Sequence, residues 1–372
     1  MRNLIGFKRV VFAAVAAMGL TASAEGVAVP ADERMKGAFL IASTPYLDDG
    51  SVDYDSLVAE AKFMDASGCR GIIWPQACLC IDLLSHEEKF EGWRRLADAA
   101  RGFRNAVLVL GVSGTNAAET VELARQAERT VADAAKAGKG GLYALAARPP
   151  TLATSEAEVR ECYDALGKVA RRPVIIQTFV SRKCPVPTVE LLVDLARRHP
   201  GVYGYIKEET IDETAEDRQT AEVAAKPVIR TVFSALGGWK WLYQFRQCHT
   251  EGLISERAAY APLVACIWEQ MRTGDPQGRL QEAFAMYRYM IDQRKIPGGS
   301  LRGYSIYYLK RLGLFRTTKS RTYRKSTGGG EYDWDPKDGF EWKVEDLQLS
   351  DAHRAELDAN YDGMMRLVRD LR

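Results

Sequence analysis

One lysine stands where this chain could do covalent chemistry. Lys207 ends the run Gly201-Val202-Tyr203-Gly204-Tyr205-Ile206-Lys207 and is followed by Glu208-Glu209-Thr210. A short apolar, β-branched and aromatic stretch that terminates on a polar residue reads as a buried parallel strand with a functional group at its C-terminal mouth. A lysine so placed can be a Schiff-base nucleophile, because attack on a carbonyl needs the neutral amine and a dry interior disfavours the ammonium. The competing reading is structural, a strand-end lysine whose charge is balanced by Glu208 or Glu209. Metal chemistry has less support. The cysteines are Cys69, Cys78, Cys80, Cys162, Cys184, Cys248 and Cys266, and Cys78-Leu79-Cys80 lacks the spacing of a ligand pair. The four histidines are far apart, so no metal site is expected. An odd number of cysteines spread through apparent core elements fits buried free thiols.

The elements that must position Lys207 alternate regularly. Strand-like runs at 36–43, 69–74, 105–111, 141–146, 173–177, 202–207, 227–233 and 252–255 are separated by helical periodicity at 53–66, from 85, 116–137, 155–171, 188–198, 238–247 and from 258. Ser85 reads as an N-cap, with acidic residues in the turn that follows it. Eight such units predict an α/β fold, a (β/α)8 TIM barrel over residues 25–274. A doubly wound open sheet is the alternative, but the dinucleotide glycine fingerprint is missing after the first strand. From residue 275 to 372 the pattern predicts a C-terminal helical extension, with helices at 280–294, 304–312 and 350–371. The basic, glycine-containing stretch 316–330 reads as an exposed loop, too polar to bury.

The first 24 residues are of another kind. Arg2, Lys8 and Arg9 precede an apolar run, and Ala22-Ser23-Ala24 offers a small-x-small cleavage site, so residues 1–24 read as a signal peptide. The run is too short to span a bilayer, and no later span is apparent. The expected location is therefore exported, periplasmic or secreted, with no membrane contact after signal cleavage. Losing three basic side chains takes the formal charge from +2 to −1. A near-neutral protein without a basic stripe gives no reason to invoke nucleic acid.

In several places the chain resembles the dihydrodipicolinate synthase and N-acetylneuraminate lyase family of Schiff-base aldolases. The pieces are Ile41-Ala42-Ser43-Thr44-Pro45, Leu84-Ser85-His86-Glu87-Glu88-Lys89, Gly111-Val112-Ser113-Gly114-Thr115-Asn116, Pro173-Val174-Ile175-Ile176, Gly204-Tyr205-Ile206-Lys207-Glu208 and Gly252-Leu253-Ile254-Ser255. Their order and spacing together carry the likeness. It implies that Lys207 matches the imine-forming lysine and that Thr44, Ala77, Cys78, Gln177, Arg182 and Ile254 fall at substrate-binding positions. It further implies a small 2-oxo acid as ligand, the lysine imine in place of any cofactor, and a homo-oligomer.

The chain departs from the family where protons are moved. The family's Gly-Thr-Thr-Gly-Glu loop aligns with Gln76-Ala77-Cys78-Leu79-Cys80, without either threonine. Its strand-five tyrosine aligns with Gln177, which donates a hydrogen bond but cannot shuttle a proton. The position after strand four falls in Ala146-Ala147-Arg148-Pro149-Pro150, again without a hydroxyl. Arg182 matches an arginine that in the synthases binds the second substrate's carboxylate, and Arg148 offers another anion contact. Trp74 and Trp239 are candidate apolar walls for a sugar ring, against a default of core packing for both. Two functions are compatible with these residues. One is a Schiff-base-forming lyase, aldolase or hydro-lyase, acting on a 2-oxo acid that could be sugar-derived, with altered acid-base partners. The other is a catalytically inactive barrel that binds a small acidic ligand.

Overall fold

The computed structural model describes residues 30–76, 81–179, 184–212, 214–292, 301–323 and 341–372. Eight parallel strands close on themselves: β1 Gly37–Ile41, β2 Gly71–Trp74, β3 Val107–Gly111, β4 Tyr143–Ala147, β5 Val174–Gln177, β6 Tyr205–Lys207, β7 Thr231–Ser234 and β8 Gly252–Ser255. β1 pairs with β2 on one side and β8 on the other, with Phe39 opposite both Gly71 and Ile254. The helices α1 Tyr54–Ser67, α2 His86–Ala100, α3 Ala117–Lys136, α4 Glu156–Val169, α5 Val189–Arg198, α6 Ala215–Ala224, α7 Trp241–Gln247 and α8 Ala261–Thr273 follow the strands in turn. The fold is the (β/α)8 barrel that the alternation predicts.

Strand residues divide by parity into two apolar layers. Phe39, Ile41, Ile73, Val107, Val109, Ala144, Ala146, Ile175, Tyr205, Phe233 and Ile254 fill the barrel interior, while Leu40, Ile72, Leu108, Leu145, Ile176, Ile206 and Leu253 face the helices. Both faces are dry, which explains why the strands read as continuous apolar runs rather than alternating ones. Gly71 is required for this packing, because a Cβ there would lie 1.9 Å from the Phe39 ring. At the helix starts, Asp53, Ser85, Asn116, Ser155 and Thr188 each accept a backbone N–H of the first turn. At Ser85 the cap is reciprocal, with Glu88 accepting the Ser85 N–H at 2.9 Å.

Helix α6 is invisible to apolar periodicity because its buried face is polar, with Gln219 and Glu222 inside. Helix α7 begins three residues later than expected, because Gly237 and Gly238 adopt positive φ of 67° and 83° and the chain turns there before it can coil. The described cysteines Cys69, Cys162, Cys184, Cys248 and Cys266 are free and buried. No described helix is long and apolar enough to cross a membrane.

After the barrel come α9 Leu280–Ile291 and α11 Asp351–Leu371, which pack on α8, and α10 Leu301–Arg311, which packs on the turn Ala258–Tyr260 before α8, around stacked tyrosines. Tyr361 lies 4.7 Å from Tyr308, ring centre to ring centre, and its hydroxyl donates to the Ala259 carbonyl at 3.2 Å. The expectation of an exposed loop at 316–330 is corrected in its first half. Residues Lys319–Tyr323 form β9, antiparallel to β10 Trp342–Asp346, and Arg321 is only 4% exposed. Residues 324–330 lie outside the described residues. Arg321 is buried because all its needs are met: its guanidinium forks onto Glu88 at 2.6 and 2.8 Å and donates to the carbonyls of Gly50 and Leu83. It also stacks between the rings of Tyr46 and Trp342, at 5.0 and 4.1 Å.

Candidate active site

Strand parity builds the site. Tyr205 fills the interior and Ile206 faces the helices, so Lys207 points inward at the C-terminal end of β6, with Gln177 and Phe233 beside it in register. This is the end of the barrel at which catalytic groups are assembled. Lys207 is 1% exposed, and its Nζ donates to Glu209 Oε2 at 2.7 Å. Gln177, 2% exposed, donates its side-chain N–H to the same carboxylate oxygen. That contact fixes which way the Gln177 amide faces, since its oxygen turned toward the carboxylate would be repelled. Its Oε1 is left buried and without a partner among the described residues.

A second group of side chains holds the strand end from behind. Thr178 Oγ1 accepts the Glu209 N–H at 2.7 Å and donates to Glu208 Oε1 at 3.1 Å, while Glu208 also accepts the Thr210 N–H at 2.8 Å. Arg218 of α6 reaches Glu208 Oε2 at 3.2 Å. Glu222 lies next to them fully buried, and burial followed by the charge of Glu208 pushes its pKa well above the usual carboxylate range. The turn that carries Glu209 is therefore clamped by a buried ionic network that does not face the barrel interior.

The other expected site residues are placed differently. Thr44 is buried, and its hydroxyl accepts the indole N–H of Trp74 at 3.1 Å, a contact that occupies a lone pair and not its O–H donor. Ile254 belongs to the apolar interior with Phe39 and Phe233. Ala77, Cys78 and Arg182 lie outside the described residues. Two suggestions are corrected. Arg148 is not a spare anion contact: it is buried against Asp82 at 3.0 Å and Thr151 at 3.1 Å. Trp74 is not a wall of the pocket, because it lies on the outer face of β2, where a Cβ on Gly92 of α2 would meet its ring at 2.2 Å. Trp239 is partly buried, with the Arg288 guanidinium 4.8 Å above its ring.

Glu209 was legible only as a counter-charge. The signal for more was its spacing, since the second residue after an inward strand residue tends to return to the same side of the chain.

No family model matches the chain. Among curated proteins it is similar to 4-hydroxy-tetrahydrodipicolinate synthase of Rhizobium meliloti, 25% identical over 210 residues, which is 55% of this chain and 67% of the relative. The same-named protein of Symbiobacterium thermophilum is 28% identical over 48% of this chain and 56% of its own length. An uncharacterized DapA-like lyase of Pyrococcus furiosus is 23% identical over 70% of this chain and 81% of its own length. The first of these similarities thus span from about half to two thirds of the relatives. Among solved structures, a Ruminococcus gnavus sialic acid aldolase superposes with a TM-score of 0.69 at 16% identity, over 91% of this chain and all of the other. Dihydrodipicolinate synthase of Rhodopseudomonas palustris superposes at 0.65 and 17%, over 90% and 99%. These structural likenesses speak for the fold. The curated relatives, with a lysine buried at the mouth of strand six, point the same way: the chain is similar to the dihydrodipicolinate synthases and DapA-like lyases, and shares their barrel fold with a sialic acid aldolase.

Proposed function

We propose that this protein is a lyase acting on a 2-oxo acid through an imine formed on Lys207. One observation carries the reading: a lysine amine is buried on the inward face of β6 at the barrel mouth, 2.7 Å from a carboxylate able to take its proton. Neutral Lys207 attacks the C2 carbonyl, and the protonated imine then draws electrons from C3. Cleavage of the C3–C4 bond makes the enzyme an aldolase, and loss of a hydroxyl makes it a hydro-lyase. The imine is the only electron sink this chemistry needs. A sugar-derived acid is favoured by Gln177, whose buried Oε1 would accept a hydrogen bond from a ligand hydroxyl.

Export belongs to the same proposal. A leader spanning residues 1–24 would put the enzyme outside the cytoplasm, away from lysine biosynthesis, and would leave a mature chain starting at Glu25. Intact mass of the protein from the producing cell checks this directly. A homo-oligomer built through the barrels is part of the proposal as well.

The activity is tested by measuring both pyruvate release and dehydration, read as loss of water by product mass, from a panel of sugar-derived 2-oxo acids with the mature protein and its Lys207→Met variant. Turnover by the wild type and none by the variant is expected, and undiminished turnover by the variant would overturn the reading. A second reading, a barrel that only binds an acidic ligand, is favoured by the same ion pair, because an ammonium held by Glu209 is not nucleophilic. It would be supported by saturable binding that survives Lys207→Met, with no turnover in either protein.

A further inference from the structure

We infer that Glu209 is the acid-base catalyst of this site, carrying the protons that the family's tyrosine would otherwise carry. This rests on the reading that Lys207 forms the imine. Three observations support it. Glu209 Oε2 touches the nucleophile's own nitrogen, at 2.7 Å. The residue beside them, Gln177, donates to that oxygen but has no transferable proton of useful acidity, so it orients Glu209 and cannot replace it. The Glu209 side chain keeps 11% of its surface exposed against 1% for Lys207, so a substrate can reach the carboxylate. The clamp behind the strand completes the case. Thr178 holds the Glu209 N–H and Glu208 the Thr210 N–H, and Glu208 is itself matched by Arg218, so Glu209 is the carboxylate of this group that meets the inward lysine.

The proton steps balance with no further reactant. Glu209 takes one proton from the Lys207 ammonium, giving a neutral amine and a carboxylic acid. The amine lone pair forms the N–C2 bond, and the carbonyl π pair moves to oxygen, which Glu209 protonates. Glu209 next takes a proton from the new secondary ammonium and returns it to the C2 hydroxyl. The hydroxyl then leaves as water while the nitrogen lone pair closes the C=N bond. The product is an iminium cation beside a Glu209 carboxylate, so the ion pair of the resting enzyme is restored with carbon on the nitrogen. The negative charge that holds the ammonium in the free protein stabilises the iminium after it forms. Closeness of a carboxylate to the lysine is thus compatible with catalysis, provided the carboxylate is the group that accepts the proton.

The test follows the rate of imine formation by borohydride quench and intact mass, with pyruvate and sugar-derived 2-oxo acids, from pH 6 to 9. Wild type, Glu209→Gln and Glu209→Asp are compared, with circular dichroism to establish that each is folded. We expect Glu209→Gln to form the adduct at least ~100-fold more slowly at neutral pH, the scale of general acid-base catalysis. Its rate should then climb with pH as water and hydroxide take over deprotonation. Glu209→Asp should recover a large part of the rate and the wild-type pH profile. A Glu209→Gln rate and profile equal to wild type would overturn the inference. So would equal slowing in both variants without a change of profile, which is the mark of a purely structural residue. Absence of any wild-type adduct on Lys207 is the separate result that removes the imine reading, and this inference with it. If Glu209→Gln fails to fold, Glu209→Ala takes its place, with the same slowing and pH-dependent climb expected, and a wild-type rate and profile overturning the inference.

Discussion

Glu60 and Glu209 are both buried carboxylates, and their surroundings set them opposite tasks. Glu209 is met by an ammonium and an amide N–H, whereas Glu60 on α1 is met by Ser43, whose backbone N–H it accepts at 3.0 Å, and by no cation among the described residues. Full burial therefore pushes the Glu60 pKa up to about 8, and its Oε2 has no partner among the described residues. An acid raised in the folded state binds protons that the unfolded chain has released, so stability must fall as pH rises from about 4.5 to about 8 and then level off. Replacing it by Glu60→Gln keeps the Ser43 contact and removes that fall. The variant should exceed wild type in unfolding free energy by a few kcal/mol at pH 8 and match it near pH 4, since wild type loses about 1.4 kcal/mol for each pH unit crossed in that interval. Urea titrations at both values check this, and parallel curves for the two proteins would contradict it. At this scale the sequence revealed Lys207, because a lysine closing a strand-like run has a defined place in a barrel. It did not reveal that the Thr44 hydroxyl accepts from Trp74 or that Arg148 is matched by Asp82, since both depend on neighbours tens of residues away.

The eight strands and most helices were legible because each is a local pattern with a cap and a turn. The β9–β10 hairpin was not, because its buried residue is an arginine and no apolar alternation marks the pair. Its role is explained by what Arg321 grips: the Gly50 carbonyl after β1, the Leu83 carbonyl between β2 and α2, and Glu88 in the first turn of α2. Lys319 adds a contact to Asp48 at 3.0 Å and Thr317 one to the Tyr46 carbonyl at 2.6 Å. The hairpin thus ties down the first two loops at the same end of the barrel as Lys207. Arg321→Ala would leave Glu88 and two carbonyls without their donor, at a cost of about 3 kcal/mol. We expect amide exchange protection in Lys319–Tyr323 and Trp342–Asp346 to drop ~100-fold, with little change in β6. Arg321→Lys should rescue little, because an ammonium cannot make the fork. Unaltered protection in Arg321→Ala would show that the hairpin is held by other means.

In the whole molecule, the barrel supplies the site and the C-terminal helices supply closure. Helix α11 buries Leu357, Tyr361, Met364, Leu367, Val368 and Leu371. At about 1.5–3 kcal/mol for each large apolar side chain, this helix contributes roughly ten kcal/mol, as much as the net stability of an ordinary domain. A chain ending at Leu349 should therefore lose its cooperative thermal transition, which calorimetry would record, and a wild-type melting temperature would refute this. The barrel was readable from periodicity alone, and the likeness to known proteins extended that reading to Lys207. The chemistry at the mouth was not readable to the same depth, because it is assembled from strand ends that sequence separates. At that mouth the proposed chemistry turns on one bond, from Lys207 to a carbonyl ligand. The most direct measurement is borohydride trapping with pyruvate and sugar-derived 2-oxo acids, read by intact mass and peptide mapping. A single ligand-sized adduct on Lys207, absent from Lys207→Met, is expected. A wild-type protein that turns over or binds these acids yet yields no adduct on Lys207 would contradict it.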